Sequence, residues 1–462
     1  GLKEDDTETI TYTRKKNGKA QRKPFPEHLK REEVVIDLDE KEKYCPHDGT
    51  RLKEIGEVRS EKLKTIPARS SVLVYIKKKY ACPCCEGHMV QAKSNSILPG
   101  TIASPELLSF IIFSKFFQSL TLYRLEELFK LQKIELTRAT MARWLVTLTE
   151  KLMPIWNVLE DKTMGHNYMV IDATRIQVLK EDGRKAETKS AMWVRGSPEL
   201  GIVLFDYNVS EGGAVAKKLM EGFKGALQAD AHRGYGVLDK QKILLIGCLM
   251  HSRRRFYKAW IESKQKSSIA GKALACFDFL YKKEESYKQA GLTPRERHVM
   301  RQKEIQPSME SMRDCFKEEL KTVLPSSTIG NALSYFINEY EELTAFLKNG
   351  RYEIDNGWVE RQIKRFAIGR KNWLFADTVD GANASSLLYS LVLTAKLNEK
   401  DPYEAMVNLL NELPMAKKYS DYENLTKKYL LSEPNLNSVR KKEGTIIKSK
   451  NKRFTGMIQP SV

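Results

Sequence analysis

The chain of 462 residues lacks any hydrophobic run that is long enough to cross a membrane. Its longest apolar-rich stretch, Leu107–Phe117, is shorter than the ~20 residues that a transmembrane helix needs, and Lys115 interrupts it. The first ten residues are polar and acidic, and they lack the apolar core of a secretory signal peptide. These absences exclude the membrane-spanning and exported classes, and they predict a protein without a membrane partner.

Cysteine is scarce, and its count of seven is odd. An odd number of thiols in a chain without an export signal argues against a disulfide framework and predicts a reducing, cytoplasmic location. Four of the seven cysteines lie within residues 44–98, where they predict a small module held together by a metal.

Positive charge is what the chain has in excess: 78 Lys and Arg stand against 59 Asp and Glu, for a net charge of +19. Such a balance predicts a polyanionic partner, nucleic acid before an acidic membrane surface, although a basic surface can also serve solubility alone. The excess is concentrated in four stretches, residues 14–23, 251–267, 351–371 and 440–453. Two of them flank the acidic residues described below, so we expect a nucleic-acid backbone to bind there.

Shifts in composition and periodicity divide the chain into seven segments. In order, we predict a flexible basic arm (1–43), a zinc-knuckle-like module (44–98), a helical DNA-binding domain (99–163), the first part of a catalytic core (164–263), a helical insertion (264–349), the remainder of the core (350–413) and a basic C-terminal tail (414–462). The core begins with three strand-like stretches, after which strands alternate with helices. That order predicts an α/β fold with a mixed sheet of the ribonuclease H-like kind.

Two helices joined by a short turn are predicted in the helical segment. The first covers Leu122–Leu131, and the second runs from Arg138 to about Met153 after Thr137 as its N-terminal cap. Such a pair fits a helix-turn-helix, whose second helix can enter a major groove. Arg138 and Arg143 favour DNA binding by this helix, and an ordinary helical hairpin is the alternative.

Three acidic residues stand where a metal site would need them. Asp172 is in the middle of the first core strand, Asp230 ends the fourth, and Glu360 lies on a predicted helix. A carboxylate inside a strand is costly to bury unless it is paired or binds a cation, and the ends of adjacent strands converge on one crevice. Three hard oxygen ligands suit a pair of magnesium ions in phosphoryl transfer. The alternative is a set of buried acids that pair with arginines.

Basic residues follow the third acid along the chain. They lie on the same predicted helix and just beyond it: Arg361, Lys364, Arg365, Arg370 and Lys371. At helical spacing the first three share a face one turn from Glu360, so they can hold DNA phosphates beside a metal. The alternative is an exposed helix with internal ion pairs.

A second basic cluster follows the fifth predicted strand. Cys248 and His251 close that strand and open a helix, on which Arg253, Arg254 and Arg255 are predicted to contact DNA phosphates. A Cys and a His three residues apart could be metal ligands, but no second pair lies nearby in sequence. We therefore expect a structural role for this pair, or a histidine near the active site.

The cysteine-rich module offers a zinc site. Cys82 and Cys85 form a Cys-x-x-Cys pair, and Cys45 lies 37 residues before it. Together with His47 or Asp48 they would make four tetrahedral ligands. Other Cys and His residues nearby leave the ligand set open, and a fold without metal is the alternative.

A set of motifs spread over residues 24–415 is recognisable. They are CPHDGTRLKEIGE, CPCC, LYRLEELF, VIDATRIQVL, LQADAHRGY, CLMHSRRRF and, most specific of all, DNGWVERQIKRFAIGRKNWLF. With these motifs the chain resembles the insertion-sequence-66 family of DDE transposases, in particular the large subunit that is often called TnpC.

The resemblance implies a ribonuclease H-like catalytic core with Asp172, Asp230 and Glu360 as its DDE triad. Cys248 and His251 match the Cys-x-x-His signature that follows the second Asp in many DDE transposases. The implied activity is DNA cleavage at the ends of an insertion sequence and strand transfer into target DNA, by two-metal phosphoryl transfer with magnesium or manganese. The implied partners are DNA, further copies of the chain on DNA and two small accessory proteins of the same element, in the bacterial cytoplasm at the nucleoid.

Two other functions use the same residues. A nuclease of this fold would hydrolyse DNA without strand transfer and needs the same three acids, so the sequence does not separate it from a transposase. A DNA-binding regulator with a dead catalytic domain is the other alternative, and the presence of all three acids argues against it.

Overall fold

The computed structural model describes residues 70–81, 89–91, 95–230, 233–265 and 268–432, with isolated residues and short pieces between residues 31 and 51. The chain divides into two compact units, residues 1–68 and 69–462. In the first unit the described residues include a short 3₁₀ helix, Glu40–Lys43. The predicted zinc ligands Cys45, Asp48, Cys82 and Cys85 lie outside the described residues, whereas His47 is described and exposed.

The second unit contains a small two-stranded sheet and a larger mixed sheet. Its described strands are β1 (Lys79–Ala81), β2 (Met89–Gln91), β3 (Tyr168–Lys180), β4 (Lys189–Ser197), β5 (Ile202–Asn208), β6 (Gly225–Gln228), β7 (Ile243–Ile246) and β8 (Ala376–Thr378). β1 and β2 pair antiparallel. The large sheet has the order β5-β4-β3-β6-β7, and β8 pairs with the far end of β3. β4 is antiparallel to β3 and β5, whereas β6, β7 and β8 run parallel to β3, so the predicted mixed sheet is confirmed.

Helices surround this sheet. Those of the described residues are α1 (Pro105–Ile112), α2 (Leu122–Leu131), α3 (Arg138–Met164), α4 (Gly213–Leu219), α5 (Leu249–Ser263), α6 (Ile269–Gln289), α7 (Pro294–Met300), α8 (Gln306–Leu320), α9 (Thr328–Asn338), α10 (Tyr340–Thr344), α11 (Gly357–Trp373), α12 (Val379–Leu397), α13 (Pro402–Glu412) and α14 (Tyr419–Tyr429). Within this part of the chain, every helix is too short or too polar to span a lipid bilayer.

Buried side chains alternate along β3 and assign its two faces, as the strand period of two requires. Tyr168 and Val170 join the large core of the unit. Met169 and Ile171 point the other way and join a smaller core with Ala216 of α4. The even-numbered side chains of β3 thus face α3, α11 and α12, which contribute to the large core.

The second helix of the predicted helix-turn-helix is longer than expected. The sequence predicted its end near residue 153, but α3 continues to Met164 with Pro154 inside it. A proline in a helix interior costs ~3 kcal/mol, because it removes a backbone hydrogen bond. Ile155 and Leu159 beyond the proline are fully buried in the core, and this burial offsets the cost.

The start of the predicted C-terminal tail is also folded. Residues 419–429 form α14, in which Leu425 is buried. Glu423 of this helix accepts a hydrogen bond from Lys162 of α3 at 3.0 Å. Folded structure therefore extends past residue 414, where we expected the tail to begin, and the basic stretch 440–453 lies outside the described residues.

The insertion is helical, as predicted, and packs on α5. Its described residues form α6 to α10 without a strand. Four phenylalanines, Phe256 of α5 with Phe277, Phe316 and Phe336, form a cluster with ring centroids 4.9–6.2 Å apart. Aromatic pairs at this distance add to the free energy of burial, so the cluster fixes the insertion on the helix that follows β7.

A buried ion pair ties the insertion to the chain segment before α11. Arg301 is 0% exposed, and its Nε and Nη2 donate to the two carboxylate oxygens of Glu284 at 2.6 and 2.8 Å. The remaining N–H groups donate to the backbone carbonyls of Phe346, Asn349 and Tyr352 at 2.9 Å. All five donors of the guanidinium are thus used.

Another charged cluster lies at the beginning of β3. His166 Nε2 is 3.1 Å from a carboxylate oxygen of Glu199, and Arg351 Nε donates to the other oxygen at 2.8 Å. Burial works against ionisation of Glu199, but hydrogen bonds from Arg351 and His166 lower its pKa to about 2. The hydrogen bond to Glu199 in turn raises the pKa of His166.

Glu199→Gln is expected to lower the melting temperature most between about pH 4.5 and 6.5, the ordinary pKa values of Glu and His. Above that range the contribution of His166 is lost as the pH rises through its raised pKa. Below it, the contribution of Glu199 is lost as the pH falls toward about 2. Melting curves of wild type and variant over this range measure the difference, with exposed Glu187→Gln as a control. A difference that is constant with pH would contradict the prediction.

Candidate active site

Asp172 lies on β3, on the same face as Tyr168 and Val170. The backbone N–H of Ala173 donates to its Oδ1 at 2.7 Å. The side chain is partly buried, at the point where the large sheet meets α11.

Asp230 stands beside Asp172 because of the strand register. β3 and β6 pair in parallel with Val170 opposite Gln228, and two further residues along each chain lead to Asp172 and Asp230. The register therefore sets Asp230 next to the strand position of Asp172. Asp230 was predicted to end the strand, but β6 ends at Gln228 and Asp230 is in the loop that follows.

Glu360 comes from a distant part of the chain, in the first turn of α11. Burial, followed by the charges of Asp230, Glu360 and Glu211, raises the pKa of Asp172 to about 7. Such an effect requires the carboxylates to be within electrostatic reach of one another. We call Asp172, Asp230 and Glu360 the acidic cluster; the charges of Asp230 and Glu360 both act on the Asp172 carboxylate.

His251 and Cys248 both lie next to Glu360 of the acidic cluster. His251 Nδ1 is 3.9 Å from Glu360 Oε1, and Arg254 Nη2 is 3.8 Å from Glu360 Oε2. Burial lowers the pKa of His251, despite the opposing charges of Asp230 and Glu360. His251 thus lies beside Glu360, one of the three predicted acids.

The three arginines of α5 have different surroundings. Arg254 is exposed and faces Glu360. Arg253 donates to Asp278 of α6 at 2.9 Å, and the Arg255 guanidinium stacks 4.1 Å from the ring centroid of Tyr335 in α9. Arg253 and Arg255 thus also contact the helical insertion, and Arg254 lies beside Glu360.

The basic residues of α11 differ in their contacts and exposure. Arg370 Nη1 donates to Thr174 Oγ1 at 3.3 Å, two residues from Asp172 on the same strand face. Exposed side chains are Arg361, Lys364 and Lys371, while Arg365 is half-buried. Cationic groups thus flank the carboxylates from α5 and from α11.

Arg138 and Arg143 lie on the other predicted DNA-binding element, at the start of α3. Both are exposed. Arg138 stacks over the ring of Tyr123 in α2 at 5.7 Å, and its backbone N–H donates to Glu126. The α2–α3 pair presents these arginines to solvent.

Asn356 connects the elements that carry the site residues, and no sequence pattern predicted these connections. It is fully buried, its backbone N–H donates to Cys248 Sγ at 3.3 Å, and its Nδ2 donates to the carbonyl of Ile171 at 2.9 Å. These bonds join α11, α5 and β3, the elements that carry Glu360, His251 and Asp172. The motif DNG just before a helix predicts a capping residue, and no local signal reveals partners so far away in sequence.

The donors of the acidic cluster fit a divalent cation. Glu360 Oε1 is buried and has no hydrogen-bond partner among the described residues. A second carboxylate, Asp172, has a raised pKa, chiefly because of burial. A divalent cation bound by carboxylate oxygens would give Glu360 Oε1 a partner and would favour the ionised form of Asp172.

Comparison with known proteins assigns the chain to a class and a family. It is a DNA-processing enzyme, the class to which carboxylates flanked by basic helices also point. The chain belongs to the transposase IS66 family, whose model matches residues 100–384. Residues 42–86 match the zinc-finger binding domain of transposase IS66, which is the region of the predicted zinc ligands. The predicted family is confirmed.

Curated relatives are known from Sinorhizobium fredii (strain NBRC 101917 / NGR234). Uncharacterized protein y4hP is 27% identical over 422 residues, which cover 87% of this chain and 75% of the relative. Uncharacterized protein y4jD is 28% identical over 404 residues, with 84% and 78% covered. No solved structure matches the chain.

Proposed function

We propose that the protein is a DDE transposase that cuts DNA at the ends of its insertion sequence and joins the released 3′ ends to target DNA. The strand register that sets Asp230 beside Asp172, together with the charges of Asp230 and Glu360 that act on Asp172, supports this proposal. A ribonuclease H-like core is supported by the sheet order, with an antiparallel meander of β3 to β5 followed by parallel β6 and β7.

The three carboxylates would hold magnesium or manganese. Such ions, when bound, lower the pKa of an attacking hydroxyl and neutralise charge on the leaving oxygen. Asp172 would be one of the ligands, and a bound cation would favour the ionised form of this carboxylate, whose pKa is raised. Arg254 and Arg370 stand on two sides of the carboxylates, where they would bind the phosphates that flank the scissile bond.

The other interactions of the proposed transposase involve separate parts of the chain. The zinc-finger domain and the exposed Arg138 and Arg143 would recognise the terminal repeats. Zinc would be bound by the finger, and further copies of the chain and the accessory proteins of the element would complete the assembly on DNA.

The test uses labelled DNA that carries an element end, incubated with the full chain and magnesium. Wild type is expected to nick the end and to form joined products with a target duplex, whereas Glu360→Gln forms neither, because it lacks a charged ligand. Lys321→Gln, a change of an exposed residue in the insertion, is the control. Equal nicking by wild type and Glu360→Gln would refute the catalytic assignment, and nicking without joined products would favour the nuclease.

A further inference from the structure

A second group of potential ligands shares one residue with the acidic cluster but differs from it in chemistry. Cys248, His251 and Glu360 offer a sulfur, an imidazole nitrogen and a carboxylate oxygen that all lie within 4.8 Å of one another. We call these three residues the mixed-ligand cluster. Hard cations such as magnesium prefer oxygen alone, whereas a sulfur, nitrogen and oxygen set is typical of zinc.

Cys248 lies at the N-terminus of α5, a helix of 15 residues, and its side chain is 0% exposed. The backbone N–H of Asn356 donates to its sulfur at 3.3 Å. Burial raises the pKa of the Cys248 thiol, and a bound cation deprotonates a thiol that coordinates it.

The other two ligand atoms of the cluster lack a hydrogen-bond partner. His251 Nδ1 and Glu360 Oε1 are both buried, and neither is bonded to any group in the described part of the chain. They are 3.9 Å apart. Buried polar atoms without a partner destabilise a fold, and a bound cation would remove that cost.

We propose that Cys248, His251 and Glu360 form a zinc site. Ligand atoms around a tetrahedral zinc ion are about 3.3–3.8 Å apart, given its bond lengths of ~2.0–2.3 Å. The observed separations therefore require the side chains to move by about 1 Å or less. Binding would release the thiol proton to solvent, and it would leave the fourth position of the ion open.

Glu360 cannot be a ligand in the acidic cluster and in the mixed-ligand cluster at the same time. A zinc ion in the mixed-ligand cluster withdraws from the acidic cluster the carboxylate that completes it. Zinc is therefore expected to inhibit magnesium-dependent nicking by occupying a ligand, a consequence that rests on the proposed function. The zinc site itself stands on the ligand geometry alone.

The site is tested by counting zinc in the full chain after equilibration with buffered zinc and removal of the excess. Wild type is expected to hold one more equivalent than Cys248→Ser and than His251→Gln, while the zinc-finger domain keeps its own ion in all three. Cys276→Ser, a change of an exposed cysteine on α6, should retain the wild-type count. Cobalt supplies an optical readout, since loss of its thiolate absorption in Cys248→Ser but not in Cys276→Ser would place the ion at this sulfur.

Melting curves without metal show whether each variant is folded, and two ligands are changed separately so that one misfolded variant does not decide the result. A wild-type zinc count in both folded variants would overturn the proposal. Nicking is then titrated with zinc, each protein being compared with its own zinc-free rate. The zinc concentration for half-inhibition is expected to be about tenfold higher or more in Cys248→Ser. If wild type does not nick DNA at all, the proposed function fails, and the zinc count still decides this inference.

Discussion

Asp172→Asn is expected to abolish DNA nicking while it raises the melting temperature of the metal-free protein at pH 8. The two effects have opposite signs because the Asp172 carboxylate binds the cation but destabilises the folded state when no metal is bound. Burial and the neighbouring acids raise the pKa of Asp172 to about 7, well above its ordinary value. A group whose pKa is higher in the folded state loses stability as the pH rises toward that pKa, and a neutral asparagine avoids this loss.

The loss of activity should be about 10³-fold or more, which corresponds to ~4 kcal/mol of transition-state stabilisation. Magnesium provides a second readout: it should raise the melting temperature of wild type, where it stabilises the ionised cluster, and leave that of Asp172→Asn almost unchanged. Asp182→Asn, at an exposed position in the turn after β3, is the matched control and should behave as wild type in both assays. A variant that is less stable than wild type without metal would contradict our account of the cluster.

Arg301→Met is expected to destabilise the second unit by ~3–5 kcal/mol. The substitution removes all five hydrogen bonds of the guanidinium and leaves the buried Glu284 carboxylate with Arg297, whose Nε is 3.7 Å away, as its neighbouring cation. Loss of the hydrogen-bonded partner is costly, because an ion pair at this longer distance compensates a buried charge less well. Urea unfolding followed by circular dichroism measures the change.

Two further variants identify the cause of that instability. Arg295→Met changes an exposed arginine of α7 and should shift the free energy of unfolding by less than ~0.5 kcal/mol. Glu284→Leu combined with Arg301→Met removes the buried carboxylate that has lost its hydrogen-bonded partner, so the double variant should be more stable than Arg301→Met alone. A double variant that is less stable than the single one would show that the carbonyl contacts, and not the buried charge, dominate.

Local patterns in the sequence were sufficient for the sheet and for two of the acids. The alternation along β3 and the apolar stretch before Asp230 both have the strand period, and parallel strands align their ends. The position of Asp172 beside Asp230 therefore follows from strand periodicity and sheet order alone. Glu360 required the family resemblance, because no periodicity links a helix to a strand that precedes it by more than 180 residues.

Long-range packing accounts for what the sequence did not predict. The sequence showed Arg253 and Arg255 only as part of a basic run, and their contacts with Asp278 and Tyr335 of the insertion come from distant segments. The sequence predicted too early an end for α3, because a proline inside a helix removes a local hydrogen bond and this loss is all that the local sequence shows. Burial of Ile155 against the core is a tertiary effect, and a single sequence does not display it.

The bonds of Asn356 also set the time at which the protein can become active. This residue reaches Ile171, 185 positions earlier, and Cys248, 108 positions earlier. Ribosomes release a chain from its N-terminus, so the first two acids leave the ribosome well before Asn356 and Glu360. The nascent protein therefore has no assembled acidic cluster until more than three quarters of its 462 residues have been synthesised, and truncated products of translation lack it altogether.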